Sequence, residues 1–409
     1  MCRFTPIHPI RMANDSRTDR SPWAVFLIFL KLGLTSFGGP IAHLAYFREE
    51  FVSRRQWLSD RSYVDLVALC QFLPGPASSQ VGLALGMSRS GYAGALAAWA
   101  GFTLPSAIAL IVLAHVMAND KGAMPAGTLH GLKVVAVAVV AQAVWGMAKQ
   151  LCPDALRVAI MVAACGLVLM WPGTAGQIGA LVAAACVGLC LLKTKHDAPP
   201  DGTPITITRR AGAFWLMLFF ALLVGLPLLT SVFPNHVLAL VDAFYRAGSL
   251  VFGGGHVVMP LLQAEVVATG WVDNDAFLAG YGATQAVPGP LFTFAAYLGA
   301  SLNQSPAGWL GGLICLVAIF VPSFLLVAGA LPFWDGMRSN AHARAALMGI
   351  NAAVVGLLLA ALYQPLWTSS ILAPQDFLLA LAALVALMVW KLPPWLVVLG
   401  SGLIGVVLA

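Results

Sequence analysis

Of 409 residues, 60% are hydrophobic and 9% charged, and the mean hydropathy is +0.87. That balance excludes a water-soluble globular domain and leaves an all-α polytopic membrane protein. The formal charge of +6 is scattered through loops, so it reads as an orientation signal and excludes a nucleic-acid-binding face.

Residues 1–21 hold Arg3, Arg11, Arg17 and Arg20 with Asp15 and Asp19, and no apolar core ahead of a small-residue cleavage site. They are expected to stay as a cytoplasmic N-terminal tail. Six apolar segments follow, at about 22–47, 62–86, 92–117, 129–150, 155–171 and 174–192. After a hydrophilic stretch from Lys193 to Arg210 comes "AFWLMLFFALLVGLPLLTSVF", long enough to span a bilayer. Six more apolar segments close the chain, at about 236–262, 275–302, 306–333, 343–364, 374–390 and 393–409. Of seven cysteines, Cys70, Cys165, Cys186, Cys190 and Cys315 lie in apolar runs, and none has zinc-site spacing. No metal and no cofactor is expected.

The two sets of six are copies. Phe37-Gly38-Gly39 recurs 215 residues later as Phe252-Gly253-Gly254, as do Gly33 at Gly248 and Glu50 at Glu265. With one deletion, "WLSDRSYVDLVALCQFLPGP" at 57–76 aligns with "WVDNDAFLAGYGATQAVPGP" at 271–290, pairing Gln71 with Gln285 and Pro-Gly-Pro with Pro-Gly-Pro. "LPS" at 104–106 matches "VPS" at 321–323, and Gly131 falls opposite Gly349. The domains are therefore an N-terminal repeat over 22–192, a linker with a connecting transmembrane helix over 193–235, and a C-terminal repeat over 236–409. The unpaired span reverses the second copy, as in transporters built from inverted repeats.

Loop charges bear on that inversion, because Lys and Arg collect on the cytoplasmic side. Arg48, Arg54, Arg55 and Arg61 follow the first segment, whereas Glu265, Asp273 and Asp275 follow its counterpart. The first segment thus begins and ends beside basic residues. Two readings account for this: broken or re-entrant hairpins at the Gly-Gly and Pro-Gly-Pro sites followed by four spans, which we adopt, or thirteen plain spans with a four-arginine loop outside.

Broken backbone at membrane depth is tolerated only where protein buries it or water lines it. Four repeat-related breaks, Gly38-Gly39-Pro40, Pro74-Gly75-Pro76, Gly253-Gly254-Gly255 and Pro288-Gly289-Pro290, point to a shared polar centre whose helix starts would favour an anion. Lys31 and Arg246 are cations at the same repeat position, six residues before each Phe-Gly-Gly break, and are the expected substrate contacts. Gln71, Gln285, Ser36 and Ser78 can donate hydrogen bonds to oxyanion oxygens without adding charge. His43, Glu50 and Glu265 are candidates for proton coupling. "GSGLIG" at 400–405 lies in an apolar segment with no preceding strand, so it is not a dinucleotide site, and no Walker loop is present.

"SFGGPIAH" and "QFLPGPASSQ", paired with "VFGGGHVVMP" and "QAVPGP", resemble the chromate transporter family in its long two-domain form. The resemblance implies a multi-pass protein of the bacterial inner membrane that exports chromate and confers chromate resistance, with sulfate as a close chemical analogue. It implies a transporter and not an enzyme, with an oxyanion and the lipid bilayer as partners and no nucleic acid. A sulfate transporter and a membrane-embedded enzyme are the rival readings, and a homodimer stays open. One departure is Gly255 standing where the first repeat has Pro40.

Overall fold

Ser21 starts the first helix by accepting a hydrogen bond from the Ala24 N–H at 3.1 Å, with Pro22 fixing the first turn. In the computed structural model, which describes residues 20–119, 125–192 and 207–408, no strand occurs among the described residues. The tail arginines Arg3, Arg11 and Arg17, and the linker from Lys193 to residue 206, lie outside them.

In chain order the helices are α1 (Pro22–Thr35), α2 (Gly39–Arg48), α3 (Asp60–Phe72), α4 (Ala77–Asn119), α5 (Ala126–Leu151), α6 (Ala155–Met170) and α7 (Thr174–Leu191). The unpaired span is α8 (Arg209–Val232). Then come α9 (His236–Leu250), α10 (Val258–Val266), α11 (Asn274–Thr284), α12 (Phe294–Ala300), α13 (Gly308–Ala330), α14 (Trp334–Ser339), α15 (Ala341–Ala361), α16 (Thr368–Ser370), α17 (Pro374–Met388) and α18 (Pro394–Leu408).

The first two apolar segments of each copy are not single helices. Helix α1 has 14 residues, about 21 Å at the α-helical rise, well short of the roughly 30 Å hydrocarbon core. The chain then turns at Gly38 (φ 103°) and Gly39 (φ 77°), in the left-handed region that a Cβ disfavours, and returns as α2. Helix α4 folds on itself at Ser90 and Gly91 (φ 59°, ψ −149°). A Cβ on Gly86 would lie 2.3 Å from the Gly94 carbonyl oxygen, whereas eight residues of straight helix separate two atoms by about 12 Å. Residues 77–89 are therefore the return arm of a hairpin that α3 begins. Gly299 and Gly311 make the same close approach between α12 and α13.

Packing follows an internal two-fold. Helix α1 lies on α4 with Gly33 against the Phe102 backbone, and α9 lies on α13 with Gly248 against Ile319. The later helices exchange partners: α5 packs on α17 and α18, and α15 on α6 and α7. Glycine lets these crossings close. A Cβ on Gly131 would sit 2.2 Å from the Ser401 carbonyl, and one on Gly349 would sit 2.1 Å from that of Ala184.

The span over Gly308–Phe333 is 72% buried and that over Arg209–Val232 only 17%. So α13 forms the centre, and α8 lies at the periphery with Phe214, Met217, Phe220 and Val224 exposed. Such an outer face suits lipid, where backbone groups are satisfied within helices and apolar side chains need no cover. Among the described residues six helices are long and apolar enough to cross a membrane.

Candidate functional site

The four breaks meet, and they meet crosswise. The Gly75 N–H donates to the Val251 carbonyl at 2.6 Å, and the Gly289 N–H donates to the Ser36 carbonyl at 3.0 Å. Each Pro-Gly-Pro tip is thus tied to the residue just before the other copy's Phe-Gly-Gly break. Both tip glycines have positive φ, 123° at Gly75 and 103° at Gly289, so the N–H points where an ordinary turn would not aim it. A Cβ on Gly255 would touch Leu291 at 3.5 Å and Pro40 at 3.7 Å, which brings the remaining breaks into the same centre. Where Pro40 sits in the first turn of an α-helix, Gly255 opens a 3₁₀ turn (Gly255–Val257) before α10. The restart is tighter in the second copy.

The two predicted cations lie in unlike surroundings. Lys31 is exposed, and no ion pair to its amine is found among the described residues. Only its carbonyl is engaged, accepting from the Thr35 hydroxyl at 2.8 Å. Arg246 is clamped: Nη2 donates to Asp242 at 2.9 Å and to Glu265 at 3.2 Å, and Glu265 accepts from the Thr174 hydroxyl of α7 at 2.8 Å. The buried Nε of Arg246 has no partner. Glu50, repeat partner of Glu265, is buried between Arg54 and Arg55 at 2.5 and 2.7 Å.

Ser36 and Ser78 are buried, and His43 lies between them. Its Nε2 is 3.2 Å from the Ser36 carbonyl and its Nδ1 is 3.4 Å from Ser78 Oγ. A carbonyl only accepts, so Nε2 carries the hydrogen and the Ser78 hydroxyl donates to Nδ1. Gln71 is exposed in the last turn of α3, while Gln285 caps α11 with its Nε2 buried and unpartnered. Pro40, Pro74 and Pro288 are half-buried, and Pro76 and Pro290 buried. Gly38 and Gly253 are exposed, and Gly39 and Gly254 half-buried.

Sequence reasoning reached Ser79 but missed the buried hydroxyls of Ser106, Ser323 and Thr103 and the Gln80 amide. Ser106 Oγ lies against Gly289 and Ser323 Oγ against Gly75, each contributed by the copy opposite the tip. These two oxygens, with those of Ser79 and Thr103 and Gln80 Oε1, have no hydrogen-bond partner among the described residues. Leaving such a group unpaired costs about 1–3 kcal/mol. The signal was present in the repeated "LPS" and "VPS", whose serines match across copies. Among the described residues no group of three His, Cys, Asp or Glu side chains is arranged to hold a metal.

A helical protein with several apolar spans, two repeat regions and a centre of broken helices is a multi-pass membrane protein. The chromate transporter family model matches residues 23–190 and 238–406, and the chain belongs to that family. Similar proteins include a chromate transport protein of Pseudomonas aeruginosa, 28% identical over 85% of this chain and 82% of the relative. A chromate transport protein of Cupriavidus metallidurans is 25% identical over 93% and 92%, and an uncharacterized transporter of Methanocaldococcus jannaschii is 25% identical over 87% and 88%. No solved structure matches.

Proposed function

We propose that this protein exports chromate from the cytoplasm by alternating access, and thereby confers chromate resistance. Family membership supports the substrate, since relatives similar over most of both chains are named chromate transport proteins. The observation that carries the mechanism is the crossed pair of backbone bonds, Gly75 to Val251 and Gly289 to Ser36. Rocking one repeat, residues 22–192, against the other, residues 236–409, would shear these two contacts and expose the polar centre to one side and then the other. Lys31, free of acidic partners among the described residues, is the cation that meets the entering anion. Arg246 is held on α9, where an oxyanion would compete with Asp242 and Glu265 for its guanidinium.

Physics permits export without ATP. A dianion leaving a negative-inside cell gains about 4.6 kcal/mol per 100 mV from its two charges. Proton coupling would act through Glu265, which shares Arg246 with a second carboxylate; Glu50 is held between two arginines and His43 is engaged at both nitrogens. The protein sits in the bacterial inner membrane with its N-terminus in the cytoplasm, in keeping with the four arginines near the first hairpin.

The test is labelled chromate and sulfate flux in everted vesicles with potential and pH gradient set independently. Accumulation of chromate driven by either gradient, lost in Lys31→Gln, supports the proposal. Sulfate flux without chromate flux would replace the substrate, and no flux of either would sink it. Labelling of a cysteine placed at Ser53 from the outer face would overturn the orientation.

A further inference from the structure

Some buried serines and threonines in these helices bond a carbonyl one turn back, whereas Ser79, Thr103, Ser106, Ser323 and Ser370 have no hydrogen-bond partner among the described residues. Ser249 donates to Tyr245 at 2.7 Å, Thr284 to Gly280 at 2.7 Å and Thr293 to Pro290 at 2.8 Å. Ser106 and Ser323, 1% and 0% exposed, do not. Each follows a proline inside its helix, Pro105 in α4 and Pro322 in α13, and each turns its hydroxyl toward the tip glycine of the opposite copy. A Cβ on Gly75 would lie 2.7 Å from Ser323 Oγ, and one on Gly289 would lie 2.2 Å from Ser106 Oγ. What sets these two apart from the other unpartnered hydroxyls is that they match across the repeats and each faces the opposite copy's tip glycine.

The two junctions differ in what else faces the glycine. At Gly75 the Gln80 amide joins Ser323, with Nε2 at 2.6 Å from a Cβ built there. That nitrogen spends one hydrogen on the Pro74 carbonyl at 2.6 Å and keeps a second. Ser79 Oγ, in the same first turn of α4, is buried and unpartnered. That turn also presents N–H groups with no acceptor inside the helix, at its positive end. At Gly289 the residue matching Gln80 is Phe294, and a 3₁₀ turn over Leu291–Thr293 replaces the long helix start. One junction is rich in donors, whereas at the other Thr293, the match of Ser79, spends its hydroxyl on the Pro290 carbonyl.

We propose that Ser323, Gln80 and Ser79 form an anion-binding station beside Gly75 that holds the tetrahedral oxyanion in transit, and that Ser106 beside Gly289 is its weaker internal counterpart. The inference rests on the oxyanion-transport reading and adds a site with no charged side chain. Hydroxyl and amide donors aimed at a glycine tip bind a dianion without the strong ion pair that would trap it. Glycine is required there because a Cβ would collide with Gln80 Nε2 and Ser323 Oγ at 2.6 and 2.7 Å, so the oxyanion enters only as the two repeats part at this junction.

The experiment compares the wild-type protein with Ser323→Ala and Ser106→Ala in reconstituted vesicles, reading labelled chromate flux beside the melting temperature of each protein. Losing a hydrogen bond to a charged ligand should cut apparent affinity roughly tenfold in Ser323→Ala, and less in Ser106→Ala, while the melting temperature holds or rises. Ser323→Cys, nearly isosteric and a weaker donor, should fall between and covers the case in which the alanine variant fails to fold. If wild-type moves chromate and Ser323→Ala and Ser323→Cys match it, the station is wrong and the transport reading stands. If wild-type moves no chromate, the reading fails, and the station is judged by thermal stabilisation with sulfate, molybdate or phosphate. Stabilisation of wild-type that Ser323→Ala loses upholds it. Stabilisation kept in the variant, or absent in wild-type, overturns it.

Discussion

Lys31 and Arg246 hold the same position in the two repeats, yet the charge around them is inverted. In the second repeat one guanidinium serves two carboxylates, Asp242 and Glu265, whereas in the first the carboxylate Glu50 serves two guanidiniums, Arg54 and Arg55, and Lys31 stands apart. Three positions account for much of the divergence: Leu27 occupies the position of Asp242, and Arg54 and Arg55 have no basic counterpart after Glu265. A duplicated fold has therefore kept its backbone crossing and exchanged its electrostatics. Inverted repeats that face opposite compartments need not face the same field, and the side chains record that difference.

The largest effect should come from the feature that both copies share. Gly131→Leu and Gly349→Leu each force a side chain into a backbone carbonyl, so both should abolish folded protein in the membrane, measured as monodisperse material after extraction. A large difference between them would break the two-fold. Next comes Arg246→Gln, which strands two largely buried carboxylates and should cost about 3 kcal/mol of stability, with Asp242→Asn and Glu265→Gln together restoring most of it. Lys31→Gln should leave the melting temperature unchanged and lower only flux. Asp242→Leu, which installs the residue of the first repeat, should shift stability by less than about 1 kcal/mol because Arg246 keeps Glu265. The smallest effect belongs to the exposed Arg48–Asp60 pair at 2.6 Å. Its hydrogen bond holds the Asp60 carboxyl below its ordinary value, so whatever the pair contributes is present at neutral pH and fades as pH falls below the carboxylate range. Asp60→Asn should leave the melting temperature at pH 7 where it was.

Much of the fold was legible because it was written twice. The breaks at Gly38-Gly39 and Pro74-Gly75-Pro76 could be placed from repetition alone, and the half-length helices on either side of them follow from the conformations those residues adopt. The fold at Ser90-Gly91 was harder to read, since a polar "SRSG" between two apolar runs resembles any short loop. The meeting of the breaks was legible in their glycines and prolines, and Ser36 and Ser78 in their neighbourhood, but Ser106 and Ser323 were not. Serine is common and carries no period, so Ser106 and Ser323 stand out only when their carbonyl partners are seen to be missing. Nor does sequence separation reveal that Thr174 meets Glu265, because that contact depends on helices changing partners between repeats.

That exchange of partners bears on how the chain is made. Gly131 of α5 closes against Ser401, some 270 residues later, while α15 finds α6 and α7 already in place. Helices synthesised early must therefore wait in the bilayer with one face open until the last helix arrives. A chain that stalls before α18 leaves the small-residue face around Gly131 of α5 bare.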